Sequence, residues 1–476
     1  MISPKLFFTV ALGTLSVSCS SLVRNYRDVS AQRKEPSKTR MPAASFGSSA
    51  VRGTTLAMVR QPWGTTRLGG MVLWQRPFEL IAGSLPDFDQ HLARPEEAPG
   101  TAQFEALLDK KRLPAPVDGK LTWLVDGRRF FPAIEGEIRK ARSSIDSQVY
   151  IFDNDDIGVR VADLLKQRSH EVPVRVVFDD LGSSVAWGEP PETPFPAGFM
   201  PPSSMAKHLR EGSRVKVRSL PNPWLVCDHS KIHVFDGKVA IMGCANIGRE
   251  YASEWHDLMF RVEGPAVAAL QEDYHKTWRR ADPAGLFGVF QKKPQAPTPP
   301  ALAGCYPLRV LRTDPAAGRR EIQKSMVLAI RAAHRRIWIE DPYIANDDIT
   351  EALEEAAERG VDVRLIYPDR NDSKIMDIAN RAFANKLVRA GGKAYAYPGM
   401  THMKVMICDG WACVGSANLD TLSMRINREL NLAFNDRRAI DSLIAQVFRP
   451  DFAVSRPHQE SKDATAPIVE TIADQL

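Results

Sequence analysis

The sequence predicts an α/β fold of two similar domains in tandem, related by internal duplication and sharing one site between them. Three observations lead there. First, Arg142-Ser-Ser-Ile-Asp-Ser-Gln-Val-Tyr-Ile-Phe152, Asp155-Asp156-Ile157, a helical pattern and Val174-Arg-Val-Val-Phe-Asp-Asp180 recur as Arg335-Arg-Ile-Trp-Ile-Glu-Asp-Pro-Tyr343-Ile, Asp347-Asp348-Ile349, helix and Val361-Asp-Val-Arg-Leu-Ile-Tyr367. Second, each copy opens on an amphipathic helix, 131–141 and 321–333, and continues as strand, helix, strand, the alternation that builds a largely parallel sheet. Third, 281–307 is rich in Pro, Ala and Gln and reads as a linker between the copies.

From the N-terminus, Lys5 precedes an apolar run that closes on small residues, as an export signal does, and the run is short for a stable membrane span. Leu15-Ser-Val-Ser-Cys19 is similar to a bacterial lipoprotein cleavage site, with leucine four rather than three residues before the cysteine, so Cys19 is the lipidation candidate. Residues 1–20 are therefore a signal or lipoprotein-like segment, and 21–112 a basic arm and extension. Residues 113–281 form the first domain, 282–306 the linker, 307–452 the second domain and 453–476 a polar tail.

Hydrophobic residues at 44% and charged residues at 25% describe a folded chain, and no long apolar run follows the first 23 positions. Six cysteines without zinc spacing give neither a disulfide framework nor a zinc site. Residues 1–70 hold ten Lys+Arg against two Asp+Glu, so of the net +6 the rest of the chain carries −2. A near-neutral body argues against nucleic acid as a partner. The basic arm is either a solvated linker or a contact for an anionic membrane surface. An exported, membrane-associated protein of the bacterial cell envelope, on the periplasmic side, is the expected location.

The chemistry lies in a pattern that occurs twice. His229-Ser-Lys231-Ile-His-Val-Phe-Asp236 is followed by Gly243-Cys-Ala-Asn246, and His402-Met-Lys404-Val-Met-Ile-Cys-Asp409 by Gly415-Ser-Ala-Asn418. Residues i and i+2 of a strand face one way, so each His and Lys are expected side by side on a strand. Ile232 and Val234, like Val405 and Ile407, suit a buried sheet. Asp236-Gly237 and Asp409-Gly410 suit hairpin turns, so these two aspartates read mainly as turn residues and secondarily as chemical ones. Gly243 is expected to let the backbone approach a ligand, and Asn246 and Asn418 to offer amide donors.

With the copies packed face to face, two imidazoles, two ammonium groups and two amides surround a pocket for a phosphate diester. One histidine attacks phosphorus while the other protonates the leaving oxygen, and the lysines stabilise the equatorial oxygens without a metal or cofactor. Asp257, 28 residues after His229, and Glu429, 27 after His402, are the candidates to orient the imidazoles, each serving either its own histidine or the opposite one.

Elsewhere the plainer readings hold. His233 and His256 read as structural, Cys227, Cys408 and Cys413 as buried thiols, and the acid pairs 155–156 and 347–348 as helix starts. The proline-rich insertion 187–202 is a substrate lid or an inert excursion.

These motifs resemble the phospholipase D superfamily over about positions 115 to 450. Asp179-Asp-Leu-Gly-Ser183, Trp255-His-Asp-Leu-Met259, Glu263-Gly-Pro265 and Asn418-Leu-Asp420 resemble its bacterial cardiolipin synthase branch. The resemblance implies two α-β-α sandwich domains with a shared active site between them, a phosphohistidine intermediate, phosphatidyl transfer between phospholipids and no metal requirement. It makes His229 the nucleophile and His402 the acid, with Lys231, Lys404, Asn246 and Asn418 on the phosphate and Gly243 and Ser416 beside it. Two departures stand out: Cys244 replaces the usual serine after Gly243, and five residues rather than six separate Asp409 from Gly415, which is expected to tighten the second hairpin. Hydrolytic phospholipase D, an exported endonuclease and a non-catalytic lipid-binding module are the alternatives.

Overall fold

The computed structural model describes residues 94–179, 182–183, 186–187, 192–220, 222, 226–282 and 298–460, with Thr66. Cys19, the basic arm and most of the linker lie outside them.

Among the described residues, seven strands make the first half: β1 (Val117–Val125), β2 (Ile145–Val149), β3 (Val174–Asp179), β4 (Lys216–Leu220), β5 (Ile232–Phe235), β6 (Val239–Gly243) and β7 (Leu258–Glu263). The second half contributes β8 (Tyr306–Asp314), β9 (Arg319–Arg320), β10 (Arg336–Glu340), β11 (Ile344–Ala345), β12 (Asp362–Pro368), β13 (Lys393–Tyr397), β14 (Val405–Cys408), β15 (Trp411–Gly415), β16 (Leu419–Asp420), β17 (Glu429–Phe434) and β18 (Arg456–Pro457). The first half runs β1-β7-β6-β5-β2-β3-β4 and the second β8-β17-β15-β14-β10-β12-β13, the same order strand for strand. The duplication read from the sequence is therefore also a duplication of topology.

In each half the crossover strands pair in parallel, β2 with β3 and β10 with β12, and the motif hairpin joins them antiparallel. The helices Gly127–Lys140 and Asp156–Arg168, and their counterparts Glu321–Ala332 and Asp347–Glu358, bury apolar stripes against the sheets. Asp155 and Asn346 cap the second helix of each pair, as the acid-rich starts suggest.

The halves meet through β1, whose residues 117–119 pair with β8 while 120–125 pair with β7. Gly119 is required at that crossing, because a Cβ there would stand 2.6 Å from the Leu308 side chain and 2.9 Å from Ala266. A shared core lies between the halves. It joins Ile232, Val234 and Met242 of the first sheet to Val405, Ile407 and Val414 of the second, closed by the helix Ala266–Arg280 and the helical run 437–454. Alternate residues of the same strands turn outward into two other cores, Met406 and Cys408 into that of the second half and Phe235 and Ile241 into one that also takes in Tyr343, Met376 and Leu422.

Candidate functional site

The His-x-Lys segments do not lie within strands, as alternation alone suggests. His229–Lys231 and His402–Lys404 are irregular lead-ins immediately before β5 and β14. Their backbone partners belong to the opposite half. The His229 N–H donates to the Arg428 carbonyl (2.8 Å) and Arg428 returns a bond to Cys227 (2.9 Å). In mirror fashion the His402 N–H donates to the His256 carbonyl (2.7 Å) and His256 to Met400 (3.0 Å).

The orienting carboxylates cross over in the same way. His229 Nδ1 lies 3.1 and 3.2 Å from the Glu429 oxygens and 3.1 Å from the Ser416 carbonyl, while His402 Nδ1 lies 3.2 Å from both oxygens of Asp257. Each half supplies the imidazole of one pair and the carboxylate of the other. With Nδ1–H donated to an acid, Nε2 is left as the free lone pair on each ring.

Lys231 and Lys404 are fully buried, and each Nζ donates to the carbonyl of its own histidine at 2.7 Å. Burial, then the two ammonium groups, hold both imidazoles well below their ordinary pKa, so the rings are neutral in the empty site. Burial and the neighbouring Lys404 bring Lys231 down to about 7. Burial pushes Glu429 and Asp257 up to about 7, against the pull of the same lysines. The crossed carboxylate contacts bring both His–Lys pairs into one site between the halves.

The remaining expected residues divide. The Asn246 oxygen accepts the Ile151 N–H at 3.1 Å, so its NH2 is the end available to an anion. Asn418 commits its NH2 to Asp420 (3.2 Å) and leaves its oxygen without a partner among the described residues. Ser416 does not offer its hydroxyl to a ligand, because that group donates to Glu429 at 2.5 Å and accepts the Leu430 N–H. At the matching position the Cys244 thiol donates to the Gly415 carbonyl at 3.1 Å, so the cysteine replaces a positioning contact. Gly243 is likewise corrected. At φ 147° its missing Cβ makes room for the Leu258 carbonyl, 2.4 Å away, on strand β7 rather than for a ligand.

Asp236 and Asp409 stand at the far ends of their hairpins, both at positive φ. Asp236 accepts backbone N–H groups of 142–144 and Asp409 those of 334–336, clamping each helix-to-strand corner. They hold the scaffold and do not reach the imidazoles. The residue missing after Asp409 is absorbed in the turn: two residues link Cys408 to Trp411, where three link Phe235 to Val239, and both ladders resume in register.

The sequence reading passed over the aromatic wall. Tyr150 meets His229 edge-on at 4.9 Å with Lys231 over its face, and Trp255 and Tyr251 lie 5.1 and 5.8 Å from His402. A tyrosine after the first strand of both copies was the available signal. Single π-turns at matching places, Glu250–Glu254 and Leu422–Ile426, bring Tyr251 to one ring and set the Ser423 hydroxyl 2.8 Å from Glu429. His233 is structural, bonded to Ser147 at 2.8 Å. Of the insertion, Trp187 is fixed to the Phe152 carbonyl (2.9 Å), and Glu192 and Thr193 bond Glu254.

The family model described as "Cardiolipin synthase, PLD-like domain" matches residues 134–278 and 326–451. Cardiolipin synthase A of Pseudomonas fluorescens (strain SBW25) is 32% identical over 384 residues, covering 76% of this chain and 74% of the relative. The same enzyme of Pseudomonas syringae pv. syringae (strain B728a) is 32% identical over 376 residues, covering 75% and 73%. The phosphatidylserine synthase structure from Haemophilus influenzae Rd KW20 superimposes with a TM-score of 0.57 at 14% identity, over 75% of this chain and 91% of that one, which is a likeness of fold.

Proposed function

The chain belongs to the cardiolipin synthase, phospholipase D-like family, and on that premise we propose that it is a phosphatidyltransferase working through a phosphohistidine. The anionic phosphate of a bound phosphatidylglycerol offsets the lysine charge and lets His402 take a proton on Nε2; His229 Nε2 attacks the phosphorus, the P–N bond forms as the P–O bond to the headgroup glycerol breaks, and His402 gives that oxygen its Nε2 proton. The hydroxyl of a second phosphatidylglycerol then attacks, His402 takes its proton, the P–N bond breaks, and cardiolipin and glycerol are the products. Lys231, Lys404 and the Asn246 amide hold the charge on the equatorial oxygens.

The observation that carries this reading is the crossed pair of imidazoles, each held by a carboxylate of the other half and flanked by a buried ammonium. His229 has the more accessible ring, 12% exposed against 4% for His402, which favours it as the nucleophile. No helix among the described residues is long and apolar enough to cross a membrane. The basic arm and a lipidated Cys19 are the proposed means of reaching the bilayer, a two-signal anchor at the periplasmic face of the envelope.

The test is purified protein with phosphatidylglycerol, following cardiolipin and phosphatidic acid together. Cardiolipin as the main product supports the transferase and phosphatidic acid the hydrolytic enzyme. Neither product, with cleavage of a nucleic acid, returns the endonuclease reading. His229→Ala and His402→Ala each abolish turnover; full activity in either removes the two-histidine mechanism.

A further inference from the structure

Beneath His402 lies a second cluster that the transfer chemistry does not use. His256, Glu340 and Asp451 each bring one donor atom to within 4.8 Å of the others. His256 comes from the first half, the two acids from the second. Glu340 is wholly buried and Asp451 is 4% exposed. His256 Nε2, 3.2 Å from an Asp451 oxygen, satisfies no hydrogen bond among the described residues, nor do Glu340 Oε2 and Asp451 Oδ2. On its other edge His256 Nδ1 is held 2.6 Å from Asp126, and the ring stacks on Tyr397 at 4.6 Å. A carboxylate behind one ring nitrogen, fixing the tautomer that leaves the other as a lone pair, is the usual arrangement behind a metal-bound histidine. A cavity of about 310 Å³ bordered by Asp126, His256 and Asp451 adjoins the cluster and gives a path of entry.

The duplication supplies an independent comparison. Arg428 holds in the second half the place His256 holds in the first: Arg428 bridges to Asp228, and His256 to Thr401. There the guanidinium is 2.7 Å from Asp228 and 3.8 Å from Asp314, and the first half's last helix adds Arg280 against Asp314 at 2.6 Å. Two arginines face two aspartates. Around His256 the last helix brings the acid Asp451 instead, and Glu340 replaces Gln148 at the strand position opposite β14 or β5. Three carboxylates then face one imidazole and the exposed Arg128, 3.5 Å from Asp126. Buried acids so placed must be neutralised, by a cation or by bound protons.

We propose that His256, Glu340 and Asp451 bind one divalent transition-metal cation of the zinc or manganese type, as a structural tie between the halves. One imidazole and two carboxylates form a donor set for such ions. The cation takes no part in the transfer. It fixes the segment whose His256 carbonyl accepts the His402 N–H and whose next residue, Asp257, holds that ring.

The experiment uses the full chain without affinity histidines, stripped by chelator, then titrated calorimetrically with Zn²⁺ and with Mn²⁺ while metal content and melting temperature are recorded. One cation per chain and a raised melting temperature are expected with the wild type. Asp451→Asn and Glu340→Gln each weaken binding at least tenfold, Asp126→Asn about 10–100-fold, and His402→Asn leaves the stoichiometry unchanged. A wild type that takes up neither ion, its acids neutralised by protons instead, overturns the proposal whatever the variants do. So does binding that survives Asp451→Asn but is lost in His402→Asn.

Discussion

Glu429→Gln isolates the crossed carboxylate with almost no change of volume. Glu429 takes the His229 Nδ1–H and the hydroxyls of Ser416 and Ser423. Ser416 donates to Oε2 and Ser423 to Oε1, and both oxygens lie within reach of His229 Nδ1, so a glutamine keeps its oxygen on one hydroxyl and sets its NH2 where the other oxygen stood; that donor, facing Nδ1, drives the ring proton to Nε2, the atom that must attack. Loss of the right tautomer behind a carboxylate costs about 10⁴ in kcat. Here the Ser416 carbonyl, 3.1 Å from Nδ1, still favours the productive form, so we expect a fall of about 10³, or roughly 4 kcal/mol of barrier.

Burial holds the Glu429 carboxyl up at about 7, so a neutral isostere leaves the melting temperature within a few degrees. The assay is single-turnover formation of the phosphatidyl-enzyme from labelled lipid, beside steady-state transfer. The mutation suppresses the intermediate even with an activated leaving group such as p-nitrophenol, whereas Asp257→Asn, acting on His402, recovers with that substrate. A folded Glu429→Gln enzyme within tenfold of wild type refutes the crossed-pair argument.

Three further outcomes follow from particular contacts. Burial keeps much of Lys231 neutral above about pH 7, so sulfate binding at pH 8 should take up a proton, read by calorimetry in buffers of different ionisation enthalpy; equal heats in all buffers at pH 8 contradict this. Asp409→Ala strips the acceptor from three backbone N–H groups at a buried corner and should lose about 2–4 kcal/mol in urea unfolding, against about 1 kcal/mol for the more exposed Asp236→Ala; a loss under 1 kcal/mol at Asp409 removes the clamp. Cys244→Ser keeps a donor for the Gly415 carbonyl and should retain activity within about threefold, and a loss beyond tenfold would give the thiol a role not described above.

Much of this protein was written locally. The two helix-strand-helix-strand units follow from apolar spacing, the turns at Asp236 and Asp409 from Asp-Gly, and the histidines and lysines from a motif repeated at one offset. Such features rest on interactions within a few residues or on periodicity, which a linear chain displays. What tertiary structure alone decided is pairing at a distance. That Glu429 serves His229 and Asp257 serves His402, that Ser416 faces a carboxylate and Gly243 a neighbouring strand, and that the His-x-Lys segments bond to the opposite copy all depend on how two near-equivalent halves dock. Either partner was chemically able to hold either imidazole. Packing of the shared apolar core fixed which one does.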